Sequence, residues 1–299
     1  MAREADGVLS LRLADPNGRR LPEWTPGAHI DLYLPGHVRQ YSLCGNPEDR
    51  ASYRVAVLRE ASSRGGSRYV HERLRVGDRV EVGGPRNHFE LIAADRYLLI
   101  AGGIGITPLL AMIGALAQRE CEWTLLYGGR SARSMAFRDE LAVHDGRVAV
   151  WPQDDRGLLD LDAALGDPRP GTAVYCCGPE GLLEAVEKRC AAWPPDALHV
   201  ERFAPRPLDP ALESRPFDLV LARSDRRLTV PGDRSALEVL EDAGVALPNA
   251  CREGVCGSCQ TRVLAGVPDH RDSLTDPSAT DVVMPCVSRA SSGELVLDL

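Results

Sequence analysis

The amino-acid sequence predicts a multidomain α/β and β fold: a small antiparallel β-barrel, then a parallel α/β domain, then a compact metal-binding domain. Three observations carry this prediction. Short strand-like segments broken by turns extend to about residue 93, strands and helices alternate between residues 97 and 203, and clustered cysteines follow residue 250. A chain of 299 residues also suits two or three domains better than one core.

The barrel prediction covers residues 1–94. Residues 7–13 alternate apolar and polar side chains with the period of a half-buried strand, and residues 53–58 form a second strand-like run. Turn signals such as Pro26-Gly27 and Gly83-Gly84-Pro85 separate these segments. Several short strands at regular spacing are typical of a small antiparallel barrel.

The α/β prediction covers residues 95–204. A continuous apolar run at residues 97–101 is typical of a strand buried on both faces, and a glycine turn follows it. We expect Thr107 to cap the next helix and Pro108 to be its first residue. Strands are predicted at residues 123–127, 148–151, 172–177 and 198–203, with helices at 135–144 and 179–193.

The last part of the chain is predicted to be a separate domain. Residues 205–214 are rich in proline and otherwise patternless, which indicates a linker. Residues 215–299 then begin with two hairpin-like strands, at 217–222 and 227–230, and a helix at 236–243.

Composition excludes several classes of function. The net charge of -8 argues against a nucleic-acid partner. The sequence has no run of 18 apolar residues, so no transmembrane helix is predicted. The N-terminus lacks a secretory signal, and we therefore expect a cytoplasmic location. The nine cysteines are an odd number with one dense cluster, which indicates reduced thiols and a metal site instead of a disulfide framework.

The metal site is predicted at Cys251-x4-Cys256-x2-Cys259 with Cys286 as a distant fourth ligand. This spacing is that of plant-type [2Fe–2S] proteins, in which four thiolates bind two irons. The intervening loop is rich in glycine, which lets the backbone approach the inorganic sulfides. A tetrahedral zinc site is the alternative, but zinc modules usually combine two paired knuckles. We expect the other five cysteines to be packing residues.

With this cluster motif and the run Met-Pro-Cys-Val-Ser-Arg-Ala at residues 284–290, the chain resembles a known family. It is similar to the reductase components of Rieske non-haem iron oxygenases, the phthalate dioxygenase reductase and vanillate demethylase reductase family. The resemblance covers essentially the whole chain. It implies an FMN-binding barrel, a Rossmann-like NAD domain and a C-terminal ferredoxin of β-grasp fold, in this order.

A flavin site is predicted in the first domain. Residues 39–43 resemble the Arg-x-Tyr-Ser signature of the ferredoxin–NADP reductase superfamily; an arginine, an aromatic ring and a hydroxyl suit a phosphate and a flavin ring. A glycine-serine segment before a helix-like stretch suits an anion; by resemblance it holds the phosphate of FMN and leaves no place for the adenosine of FAD. The predicted flavin-binding residues are Arg39, Tyr41, Ser42, Leu43, Val57, Arg59, Gly65, Gly66 and Ser67.

A nicotinamide site is predicted in the second domain. Its first loop has the strand–glycine turn–helix context of a pyrophosphate site, although it lacks the third glycine of the usual fingerprint. Arg130 and Arg133, after a later strand, could each reach a 2′-phosphate, which leaves NADPH open, and the resemblance favours NADH. The predicted residues are Gly102, Gly103, Gly105, Thr107, Pro108, Arg130, Cys177, Gly178 and Pro179.

The predicted function is electron transfer from NADH through FMN and the cluster to a partner oxygenase. By resemblance, Ser42, Cys177 and Phe203 lie where the nicotinamide meets the flavin. No hydrolytic motif is present, so the chemistry belongs to the cofactors. Two alternatives stay open: the same relay serving a haem-thiolate monooxygenase or another redox protein, and a redox-sensing protein without turnover.

Overall fold

The computed structural model describes residues 1–61, 63–119, 121–208 and 212–299. The chain forms two compact units, Met1–Glu201 and Arg202–Leu299, which are described separately. No helix in the described part of the chain is long and apolar enough to cross a lipid bilayer.

The first half of the first unit is an antiparallel β structure of two three-stranded sheets. One sheet has the order β1-β2-β5, the other has the order β4-β3-β6, and a bridge from Leu43 to Val55 joins them. Their inward side chains, such as Ile30 and Val57, are fully buried and form one apolar core. The elements are β1 (Ala2–Ala5), β2 (Val8–Leu13), β3 (His29–Leu34), β4 (His37–Ser42), β5 (Tyr53–Leu58), α1 (Gly66–Glu72) and β6 (Glu81–Arg86).

The second half of the first unit is a five-stranded parallel sheet with the order β11-β10-β7-β8-β9. The apolar run that begins β7 is buried as predicted, because helices cover both faces of the sheet. The chain moves outward from β7 through β8 to β9 and returns on the other side to β10. The elements are β7 (Arg96–Gly102), α2 (Ile106–Gln118), β8 (Glu122–Gly129), α3 (Arg138–Leu141), β9 (Val148–Pro152), α4 (Gln153–Arg156), α5 (Leu161–Leu165), β10 (Thr172–Cys177), α6 (Glu180–Arg189) and β11 (Leu198–Glu201).

The start of α2 differs from the sequence prediction. Gly105 is the N-cap, and Thr107 and Pro108 lie inside the first turn. The Thr107 hydroxyl donates to the carbonyl of Ile104 at 3.0 Å instead of accepting from the helix. A short 3-10 turn over Gly103–Gly105 runs directly into α2, so the helical conformation begins before the threonine.

The second unit is a five-stranded mixed sheet with the order β13-β12-β16-β14-β15, packed against one helix. Ser235 caps this helix, because its hydroxyl accepts from the Glu238 amide and the Glu238 carboxylate accepts from the Ser235 amide. The elements are β12 (Phe217–Leu221), β13 (Arg226–Val230), α7 (Ala236–Asp242), β14 (Thr261–Asp269), β15 (Val282–Val283) and β16 (Arg289–Leu297).

The segment predicted as a linker makes specific contacts with the second unit at both ends. The Arg206 amide donates to the Ser273 hydroxyl at 3.0 Å. The buried Arg271 guanidinium donates to the Ser214 hydroxyl at 2.8 Å and to the Glu213 carbonyl at 2.9 Å. These described parts of the segment therefore belong structurally to the second unit.

Candidate functional site: the nicotinamide loops, the barrel edge and the cysteine loop

The predicted nicotinamide loops lie side by side at the carboxyl ends of β7 and β10. The chain reverses its direction across the sheet between these two neighbouring strands, and such a switch point is where open α/β sheets bind ligands. A Cβ added to Gly105 would lie 2.2 Å from the Cys177 carbonyl oxygen, and one added to Gly102 would lie 2.6 Å from Pro179 Cδ. Only glycine at these two positions lets the two loops lie this close together, so the distance between the loops depends on these glycines.

The predicted flavin residues lie on β4, on β5 and on the segments that follow these strands. Arg39, Tyr41 and Ser42 are on β4, and Val57 is a fully buried residue of the neighbouring β5. Burial raises the pKa of the Tyr41 phenol to about 12, so its hydroxyl stays protonated at neutral pH. Arg59 follows β5, and its guanidinium is paired with a carboxylate of α1.

The glycine-serine segment packs against this strand. A Cβ on Gly65 would lie 2.2 Å from His37 Nε2, and one on Gly66 would lie 2.7 Å from Arg39 Cγ. The Ser67 hydroxyl bonds to the hydroxyl of Ser63 at 2.8 Å. The structure therefore brings the arginine, the backbone of the two glycines and two hydroxyls to one place, which is a donor set that suits a phosphate.

A carboxyl group joins β4, which carries the predicted flavin residues, to the predicted nicotinamide loop after β10. Glu201 ends β11, and its Oε2 accepts a hydrogen bond from Ser42 Oγ at 3.2 Å and lies 4.0 Å from Cys177 Sγ. Sequence reasoning identified Ser42 and Cys177 but missed Glu201. The available signal was an acidic residue that ends a partly buried strand, two residues before the predicted Phe203.

The environment keeps both acids of this group protonated. Burial raises the pKa of the Glu201 carboxyl to about 8, and the hydrogen bond from Ser42 offsets only part of this effect. Burial and the nearby Glu201 raise the pKa of the Cys177 thiol well above its ordinary value. The thiol is therefore a poor nucleophile at neutral pH, and the three residues form a polar junction in which both acidic groups keep their protons.

For two other predicted residues, the structure gives only their own surroundings. Arg130 is exposed after β8, and its carbonyl accepts from the Asp154 amide at 3.1 Å. Phe203 belongs to the second unit, and 46% of its surface is exposed. Their proposed contacts with cofactors stay predictions.

The four predicted cluster ligands form two pairs of thiols in the second unit. Cys259 Sγ lies 3.3 Å from Cys286 Sγ. Cys251 is hydrogen-bonded to Cys256, and this bond lowers the pKa of the Cys256 thiol while it raises that of the Cys251 thiol. Two thiol pairs suit two irons.

The surroundings of these cysteines also suit a cluster. In the described residues, no three Cys, His, Asp or Glu side chains converge on a point that a single metal ion could occupy. The Glu253 amide points at Cys251 Sγ at 3.3 Å, as amides do towards cluster sulfurs. Gly254 has a φ of 70°, and a Cβ there would lie 2.8 Å from Asp272 Cβ.

Comparison with known proteins agrees with both units. Residues 99–188 match the model of the oxidoreductase NAD-binding domain, and residues 219–291 match that of the 2Fe-2S iron-sulfur cluster binding domain. The phthalate 4,5-dioxygenase oxygenase reductase subunit of Pseudomonas putida is 42% identical over 305 residues, covering 99% of this chain and 93% of that protein. The chain belongs to the phthalate dioxygenase reductase family. This confirms the resemblance seen in the sequence.

Solved structures extend the likeness within this family of oxygenase reductases. The crystal structure of phthalate dioxygenase reductase has a TM-score of 0.72 and 39% identity, covering 99% of this chain and 95% of that one. An intact type IV self-sufficient cytochrome P450 monooxygenase has a TM-score of 0.94 and 44% identity, and this oxygenase reductase spans 40% of that chain. The predicted order of barrel, NAD domain and ferredoxin is confirmed, and the protein is an electron-transfer oxidoreductase.

Proposed function

We propose that this oxygenase reductase takes electrons from NADH, passes them through FMN and a [2Fe–2S] cluster, and delivers them to a partner oxygenase. The observation that carries the proposal is the junction at Glu201. Its carboxyl group bonds to Ser42 of the flavin strand and lies 4.0 Å from Cys177 of the nicotinamide loop. A hydride donor and its acceptor need to meet at such a junction.

FMN is the proposed flavin. A bound flavin accepts two electrons as a hydride and releases them singly, which links a nicotinamide to a one-electron cluster. Arg39, Gly65, Gly66 and Ser67 would hold its phosphate, because their donors lie together beside β4. Tyr41 would cover one face of the ring.

The residues of the junction have distinct proposed roles. The Ser42 hydroxyl orients the reacting edge of the flavin, and the Cys177 side chain positions the nicotinamide ring. Glu201, protonated below about pH 8, holds the Ser42 hydroxyl in place without adding a negative charge beside the hydride.

NADH is the proposed electron donor, with the pyrophosphate at Gly102–Gly105 and the adenosine towards Arg130. Asp154 and Asp155 lie in the first turn of α4 beside Arg130, and their negative charges disfavour the 2′-phosphate of NADPH. Arg133, the other arginine that could bind this phosphate, pairs with Asp6 at 3.4 Å.

The proposed acceptor is a Rieske-type oxygenase, because the curated relatives are named as reductase subunits of oxygenase systems. A haem-thiolate monooxygenase is a second candidate, favoured by the TM-score of 0.94 with the self-sufficient cytochrome P450 chain. Measuring NADH-dependent reduction of each purified acceptor separates the two candidates.

The cofactor proposal is tested by visible spectroscopy of the purified protein under anaerobic conditions. Stoichiometric NADH should bleach both flavin and cluster absorbance, and acid extraction should release FMN. NADPH should act only at much higher concentration. If NADH leaves both chromophores oxidised, the protein is a binding or sensing protein and the proposed relay is wrong.

A further inference from the structure

Arg54 on β5 makes contacts with both halves of the first unit. Its guanidinium donates twice to the Cys44 carbonyl, at 3.1 Å from Nε and 2.5 Å from Nη2. It also forms a bidentate pair with the Glu140 carboxylate of α3, at 2.9 and 2.8 Å. A bidentate arginine–carboxylate pair holds its two side chains in one relative orientation, because it forms two parallel hydrogen bonds.

The α3 side of this contact is rigid. Phe137 precedes α3 with a φ of 61°, a left-handed conformation that a bulky residue rarely adopts. Its ring is 4% exposed and lies under the Arg54 guanidinium, 5.2 Å from centroid to Cζ. The surrounding packing therefore holds Phe137, and with it the start of α3, in one position.

Buried apolar residues of the two halves share one core beside Arg54, among them Cys44, Ala56 and Phe137. This packing does not extend into the groove that Arg54 lines. An open groove of about 660 Å³ separates the barrel segment around Asn46 from the α2 surface around Gly114, and both Arg54 and Glu140 line it. Among the ion pairs of the described residues, Asp6 with Arg133 also joins the two halves, and its arginine side chain is 85% exposed. Exposed ion pairs of that kind contribute little to holding two parts of a protein in place.

We infer that Arg54 is a positioning residue that, with Glu140, sets the distance between the flavin strand and the nicotinamide loops. Cys44 lies two residues after Ser42, so a clamp on the Cys44 carbonyl also holds the Ser42 hydroxyl opposite Glu201. The inference rests on the proposed function, because it concerns the meeting of a nicotinamide with a flavin. Small errors in such a distance lower the rate of transfer strongly.

The test is stopped-flow reduction of the FMN-loaded full chain by NADH, in Arg54→Met, Arg54→Lys and Glu140→Gln variants. We expect the limiting rate to fall about 10-fold in Arg54→Met and about 3-fold in Arg54→Lys, which keeps the charge but loses the fork. The KM for NADH should change less than about 2-fold, because no pyrophosphate contact is removed. The matched control is Arg96→Met, which breaks an exposed ion pair within the parallel sheet.

Hydrogen–deuterium exchange supplies a second measurement that does not depend on activity. Peptides covering residues 43–46 and 137–142 should exchange faster in Arg54→Met and Glu140→Gln than in wild type or Arg96→Met. Wild-type reduction rates and wild-type exchange in both Arg54→Met and Glu140→Gln would overturn the inference, as would an equal loss in Arg96→Met. Failure of NADH to reduce wild-type protein refutes the proposed function instead, and the exchange data still decide whether the clamp exists.

Discussion

Replacing Glu201 by glutamine should remove a pH dependence of stability that the structure predicts. The carboxyl group has a pKa of about 8 in the folded chain, against an ordinary value of 4.5. Between these two values the folded state binds a proton that the unfolded state has lost. The contribution of Glu201 is therefore fully present below about pH 4.5 and is lost as the pH rises through about 8.

The magnitude follows from the same two values. The interval between 4.5 and about 8 corresponds to about 5 kcal/mol in the free energy of unfolding. Because Glu201 is only partly buried, solvent and local relaxation reduce this to about 2–3 kcal/mol. For a unit of this size, that is a shift of roughly 5–10 °C in melting temperature. Glutamine keeps an acceptor for Ser42 but has no charge at any pH.

The assay is thermal unfolding of wild type and Glu201→Gln at intervals from pH 5.5 to pH 9. Titratable groups that both proteins share affect both melting temperatures equally, so their effect cancels in the difference between the two. Wild type should lose stability relative to the variant as the pH rises, and Glu48→Gln, at an exposed position, should show no such trend. A melting difference that stays constant from pH 5.5 to pH 9 would refute a raised pKa at Glu201.

Two further predictions concern the other sites. Cys256→Ala should abolish the cluster absorbance yet leave NADH-dependent flavin reduction largely intact, because Cys256 lies in the second unit; loss of flavin reduction in the folded variant would contradict this modular function. Gly105→Ala should weaken nicotinamide binding at least about 10-fold, measured by titration with NAD+, because the added Cβ would lie 2.2 Å from the Cys177 carbonyl oxygen. Gly114→Ala on the same helix meets no atom within 4 Å and should bind normally, with a gain of about 1 kcal/mol in helix stability.

Strand positions were predictable where burial leaves a strong pattern. The run predicted at residues 172–177 is strand β10, which is buried along its whole length because the sheet is covered on both faces. Helix boundaries were less predictable, as at Thr107. The segment predicted as one helix at residues 135–144 contains the short helix α3 and a 3-10 turn, since Phe137 takes a left-handed conformation. Local propensity does not encode a conformation that neighbouring packing imposes.

The sequence by itself determined the order of the domains and the chemistry of the cluster ligands, because cysteine spacing and glycine turns are local features. Only the tertiary structure placed Glu201 between Ser42 and Cys177, which are 135 residues apart along the chain. It also raised the pKa of that carboxyl group and joined Arg54 to Glu140. These effects depend on desolvation and on distances between strands remote in sequence, and no local pattern carries that information.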